Sequence, residues 1–156
     1  MTAEVVIAAA RAKGMKLALA ESCTGGMIAA ALTDVPGASA VLDRGFVTYS
    51  NGAKCELLGV KRETLAAHGA VSEEVAREMA LGALDRSSAS LALSVTGIAG
   101  PGGSGSKPEG RVCFSLARSG APPMSETIEF GAMGRAKVRR AATLHGLNSI
   151  FQSLTE

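Results

Sequence analysis

Tryptophan is missing from this sequence and tyrosine occurs once, so aromatic residues fill only 3% of its 156 positions. A core built from it must be aliphatic, and the aromatic platform on which single-stranded nucleic acids stack is excluded. An excess of charge is missing too. Sixteen Lys and Arg against 14 Asp and Glu leave a net charge of +2, too balanced for the electrostatic footprint of a nucleic-acid binder. The three cysteines, Cys23, Cys55 and Cys113, are odd in number and widely spaced. They form neither a disulfide framework nor a zinc site, and a reducing cytoplasm is the expected compartment. No paired-Cys or His-x-x-x-His spacing occurs, so no metal is expected. The N-terminus, with Glu4 early, lacks a signal-type apolar run. No apolar stretch is long enough to span a bilayer, so no membrane partner is expected.

What is present is an ordinary globular balance, 47% hydrophobic and 19% charged. The expectation is one domain over residues 1–156, long enough to bury a core. Residues 3–13 read as a helix ended by Gly14, and Lys16–Ala20 as a strand. Helix composition returns at Gly25–Leu32 and stops at the Asp34–Gly37 turn. Phe46–Tyr49, preceded by Val41 and Leu42, reads as a second strand. Residues 52–58 and 61–67 predict two short helices broken at Gly59. Ser72-Glu73-Glu74 opens a longer helix to about Arg86, with acids where the dipole favours them. Leu91–Val95 is an apolar strand, Arg111–Ala117 and Ser125–Phe130 alternate like a hairpin, and a final helix covers roughly Gly134–Leu154. Helices between early strands and a late hairpin predict an α/β fold, a mixed sheet covered by helices on both faces. Ligands of such sheets bind at the carboxyl ends of strands. Glu21–Gly26 and Thr96–Gly103 both lie at such ends.

Glu21-Ser22-Cys23-Thr24-Gly25-Gly26 packs four reactive or hydrogen-bonding side chains into a strand-to-helix turn. Ser22 is placed to attack a carbonyl, while N–H groups near Thr24, Gly25 and Gly26 are placed to hold an oxyanion or phosphate. Helix capping by Ser22 or Thr24 is the competing reading, and both stand at this point. A nucleophilic serine needs a base. His68 lies in a turn between helices and His145 inside the last helix, so a Ser-His-Asp triad has little support. Lys54, just after the only tyrosine, Tyr49, qualifies if burial depresses its pKa; a solvated lysine is the ordinary alternative. Thr96, Gly97 and Gly100 begin a glycine-rich segment able to form an anion-binding nest. Its literal G-x-G-x-x-G, Gly100, Gly102 and Gly105, leads to Pro108 and a strand, where a dinucleotide motif requires a helix. Arg135 and Arg139, four residues apart, share a face of the last helix and oppose its dipole there. Phosphate binding accounts for them, as does a solvated basic face.

In this order, Ala20-Glu21-Ser22-Cys23-Thr24-Gly25-Gly26, Arg44–Asn51 with Lys54, His68–Ser72, Thr96–Pro101, Lys107–Gly110 and Val138-Arg139 resemble the C-terminal domain of the competence/damage-inducible protein CinA, the nicotinamide-nucleotide amidohydrolase family. The resemblance covers nearly the whole chain. It implies a three-layer α/β/α sandwich and hydrolysis of the carboxamide of nicotinamide mononucleotide to nicotinate mononucleotide and ammonia, in pyridine-nucleotide recycling without a cofactor. It also implies a Ser–Lys–Tyr site at Ser22, Lys54 and Tyr49. The substrate-binding residues would then be Thr24, Gly25, Gly26, Thr96, Gly97, Gly100 and Arg139, with Arg139 as the basic candidate for the phosphate. Two departures stand out. The larger family proteins carry an additional N-terminal nucleotide-processing domain, whose activity is not expected here. The family's usual Gly-Asp-Arg reads Met133-Gly134-Arg135, and the Gly/Ser loop is slightly short and lacks its common acid. A non-catalytic nucleotide sensor is the alternative function, and a homodimer the expected assembly.

Overall fold

A computed structural model describes residues 3–156. Five strands form one mixed sheet in the order β2-β1-β3-β4-β5. They are β1 (Leu17–Glu21), β2 (Leu42–Val47), β3 (Leu91–Gly97), β4 (Arg111–Arg118) and β5 (Met124–Glu129). β1 runs parallel to both neighbours, β2 and β3, whereas β4 pairs antiparallel with both β3 and β5. The helices are α1 (Ala3–Lys13), α2 (Met27–Thr33), α3 (Asn51–Leu58), α4 (Arg62–His68), α5 (Glu73–Asp85) and α6 (Arg135–Thr155).

The period-two alternation of the central strands assigns the layers. Leu17, Leu19, Leu91, Leu93 and Val95 pack with α1, α2 and α6 in the larger core. Ala18, Ala20 and Ala92 face the other way and join Leu58, Val75, Met79 and Ala83 of α3 and α5. Small residues on that second face let α5 lie close to the sheet, with Ser94 Oγ donating to the Ala76 carbonyl at 2.5 Å. The result is the three-layer α/β/α sandwich that the sequence leads one to expect.

Several boundaries differ from the sequence reading. The second helix starts at Met27, not Gly25, because Gly25 and Gly26 both take left-handed conformations, with φ of 58° and 99°. β2 begins at Leu42 and ends at Val47. It is an edge strand whose exposed Arg44 and Gly45 break the apolar pattern that marks a buried one. A single 3-10 turn, Ala38–Ala40, precedes it.

The connection from β1 runs outward through α2 to β2, and the connection from β2 returns through α3, α4 and α5 past β1 to β3 on its other side. Its carboxyl end is therefore the topological switch point of the sheet, where α/β folds leave a crevice. The loops after β1, β2 and β3 all open there.

Candidate active site

The crevice holds a cavity of about 360 Å³ lined by Ser22, Cys23, Tyr49, Asn51, Lys54, Ala70, Val71, the 96–104 segment and Arg135. Ser22 follows β1 directly. Its N–H donates to the Val95 carbonyl at 2.9 Å, which ties it to β3. The Thr48 N–H donates to the Glu21 carbonyl at 2.9 Å, which ties the same peptide to β2.

α3 begins with Ser50 accepting the Ala53 N–H at 3.0 Å, a side-chain cap that fixes where the helix starts. From there Lys54 and Leu58, one turn apart, form the buried face. Lys54 is 1% exposed, and its Nζ lies 3.0 Å from Ser22 Oγ, 2.9 Å from the Thr48 carbonyl and 3.2 Å from the Tyr49 carbonyl. As an ammonium it donates to all three. As a neutral amine it has two N–H donors and one lone pair. Carbonyls only accept, so the two N–H groups belong to Thr48 and Tyr49, and the lone pair is left for the Ser22 hydroxyl. Burial lowers the Lys54 pKa from its ordinary 10.5, which favours the neutral form.

Cys23, a second side chain of nucleophilic type in the cavity, is held as a thiol. Burial pushes its pKa up to about 11, so it carries little of the thiolate that reacts. Neither His68 nor His145 lines the cavity. His145 packs on Phe114, ring centroids 4.5 Å apart, and bonds Glu126 Oε1 at 2.5 Å. Among the described residues no three His, Cys, Asp or Glu side chains converge as metal ligands.

Tyr49 contributes its backbone oxygen to Lys54, while the residue as a whole is 61% exposed. Its hydroxyl accepts from Arg135 Nη2 at 2.7 Å, and Arg135 Nη1 donates to the Gly100 carbonyl at 2.6 Å. Thr96, Gly97 and Gly100 line the cavity, with the Thr96 hydroxyl donating to the Ala70 carbonyl at 2.9 Å. Thr24, Gly25, Gly26 and Arg139 do not line it. The Thr24 hydroxyl donates to Glu21 Oε1 at 2.6 Å. Arg139 turns inward, its Nε donating to the Cys23 carbonyl at 3.0 Å and its Nη2 to the Thr24 carbonyl at 3.3 Å. It braces the loop from behind.

Asn51, Lys107 and Glu109 are the additions that the fold makes to the sequence reading, and of the two arginines it brings Arg135 rather than Arg139 to the cavity. Lys107 Nζ donates to the His68 and Val71 carbonyls at 2.6 and 2.5 Å. Glu109 accepts from the Gly102 N–H at 2.7 Å and the Gly134 N–H at 3.1 Å, which joins the glycine-rich loop to the start of α6. One signal for Arg135 existed in its shared helix face with Arg139. Spacing alone does not say which of two such side chains enters a cavity.

Fold and site define a class, the three-layer α/β/α proteins with a serine–lysine pair at the switch point of a mixed sheet. Within that class the chain belongs to the CinA C-terminal domain family, whose model matches residues 1–154. It is 47% identical over 154 residues to the nicotinamide-nucleotide amidohydrolase PncC of Escherichia coli K12, covering 98% of this chain and 93% of that protein. A CinA-like protein of Chloroherpeton thalassium is 54% identical over 126 residues, 78% of this chain but 30% of its own length. The chain thus spans about a third of the longer relatives it matches. The crystal structure of a competence/damage inducible protein from Agrobacterium tumefaciens superposes with a TM-score of 0.94 at 45% identity, covering 99% of this chain and 93% of that one.

Proposed function

We propose that the chain is a nicotinamide-nucleotide amidohydrolase, and that it converts nicotinamide mononucleotide to nicotinate mononucleotide and ammonia with Ser22 as nucleophile and Lys54 as base. The observation that carries this reading is the 3.0 Å contact between a buried, pKa-lowered lysine and a serine at the cavity floor. The relatives' name, nicotinamide-nucleotide amidohydrolase, supplies the substrate class.

Ser22 Oγ attacks the carboxamide carbon as its proton passes to the lone pair of Lys54. The Cys23 N–H, next along the chain in a residue that lines the cavity, is the group suited to meet the developing oxyanion. As the C–N bond breaks, Lys54 returns its proton to the leaving nitrogen, which departs as ammonia and leaves an acyl ester on Ser22. Water then attacks that ester with Lys54 taking its proton, and collapse returns a proton to Ser22 Oγ and frees the carboxylic acid. Arg135, exposed at the cavity mouth and held there only by two uncharged acceptors, is suited to exchange them for the 5′-phosphate. Arg139 is already occupied by loop carbonyls, so it supports the site from outside. A relay role for Tyr49 requires its hydroxyl to leave Arg135 during turnover.

Purified protein is expected to release ammonia from nicotinamide mononucleotide and not from free nicotinamide. Ser22→Ala and Lys54→Ala, folded by circular dichroism, are expected to lose nearly all turnover. Wild-type rates in either variant contradict the mechanism. Calorimetric binding without any product from the unmodified protein points instead to a nucleotide sensor.

A further inference from the structure

Glu21 is a carboxylate buried to 1% exposure one residue before the nucleophile, and the mechanism above does not use it. Alternation along β1 sends the two neighbours to opposite faces. Ser22 meets Lys54 on the α3 side, whereas Glu21 points to α2. There its Oε1 accepts from the Thr24 hydroxyl at 2.6 Å and the Ile28 N–H at 3.1 Å, and its Oε2 accepts from the Ala29 N–H at 3.0 Å.

These donors come from three to eight residues further along, so this is not a local helix cap. The chain must double back before α2 meets the carboxylate, and left-handed Gly25 and Gly26 provide that reversal. The Glu21–Ser22 peptide is then held from three directions. β2 binds the Glu21 carbonyl, β3 binds the Ser22 N–H, and α2 binds the Glu21 side chain.

We propose that Glu21 is a positioning residue, whose carboxylate locks the nucleophile loop to α2 and so fixes Ser22 Oγ against Lys54. Three donors on two oxygens require a group that only accepts. Glutamine of the same size sets an N–H₂ against one of them, and small misplacements of a nucleophile are costly in rate.

The proposal rests on the amidohydrolase reading, so its test includes a readout that needs no substrate. Glu21→Gln, Thr24→Val and Thr24→Ser are compared with the unmodified protein well below their melting temperatures. The measurements are kcat and KM for nicotinamide mononucleotide, the rate of Ser22 labelling by a fluorophosphonate, and Tm. Glu21→Gln is expected to lose about tenfold to a hundredfold in kcat, with KM within about twofold and labelling slowed in parallel. Thr24→Val is expected to shift in the same direction by less, and Thr24→Ser, which keeps a hydroxyl to donate to Glu21 Oε1, to recover most of that loss.

A Glu21→Gln protein that melts lower yet labels and turns over normally overturns the proposal, because a purely structural carboxylate gives that result. If Glu21→Gln does not fold, Thr24→Val decides, and normal kcat and labelling in it overturn the proposal equally. If the unmodified protein forms no product from the mononucleotide, the amidohydrolase reading fails while the labelling rates still decide on Glu21.

Discussion

Lys54 is the residue on which the proposed chemistry turns, and its partners set its pH behaviour. Below its lowered pKa the amine is an ammonium that donates to Ser22 and has no lone pair to take a proton. Activity therefore rises with pH through that pKa, which lies below the ordinary 10.5. The profile of kcat/KM is expected to show this ascending limb, and a rate that falls across the neutral-to-alkaline range contradicts the assignment. Stability moves the same way. Between the folded and unfolded pKa values of Lys54 the unfolded chain binds more protons, so stability gains with rising pH over that window and is lost as pH falls through the folded value. Cys23 sits beside Ser22 in the same cavity, yet burial that lowers an amine's pKa raises a thiol's. One environment prepares the lysine and silences the cysteine. The residues alone left Ser22 open between a helix cap and a nucleophile, because a serine at a strand-to-helix turn serves either use, and the family resemblance favoured the second. Lys54 was readable only through the family resemblance. Lys54 lies 32 positions after Ser22, with α2 and β2 in between, and no local pattern says that the two close.

Helix α3 carries Lys54, so under the proposed mechanism its placement is a catalytic matter, and α5 sets that placement at a glycine. A Cβ built on Gly82 falls 1.9 Å from the Leu58 carbonyl oxygen, a backbone atom that cannot step aside without moving the end of α3. Gly82→Ala is expected to destabilise by about 1–3 kcal/mol, as overpacking does. It should also lower kcat, because Leu58 and Lys54 share a helix face. Gly52→Ala in the first turn of α3 provides the contrast. Its Cβ meets only Ser50 Oγ, at 4.0 Å, and removing a helical glycine gains up to about 1 kcal/mol. Thermal melts and steady-state rates of the pair check both directions, and a Gly82→Ala protein as stable and active as the unmodified one defeats the argument. Elements were legible in proportion to their burial. Leu17–Glu21 and Leu91–Gly97, buried on both faces, read as apolar runs. β2 was blurred by Asp43, Arg44 and Gly45 on an edge, and the start of α2 was displaced by two glycines whose left-handed backbone composition does not reveal.

At the scale of the whole molecule, the cavity is assembled from pieces distant in sequence. The loops after three parallel strands, the segment at Ala70-Val71 and the start of α6 all meet at one sheet edge. No single element holds a ligand, so a ligand bound there ties the layers together and favours the folded state over the unfolded one. At a free concentration of 100 times Kd the gain is about 2.7 kcal/mol. For a domain of this size that raises Tm by about 5–10 °C. The Ser22→Ala protein, which the proposed mechanism predicts to be inactive, is the form in which to measure it with nicotinamide mononucleotide. The phosphate contribution is separable in the same assay. Arg135 bridges Tyr49 and Gly100 across the mouth, so Ser22→Ala with Arg135→Gln is expected to lose most of the shift at the same ligand concentration. The corresponding riboside, which lacks the phosphate, should give a small shift that is equal with and without Arg135. An undiminished mononucleotide shift in the double variant removes Arg135 from phosphate recognition. A large riboside shift would place the binding energy at the amide end, beside Ser22 and Lys54.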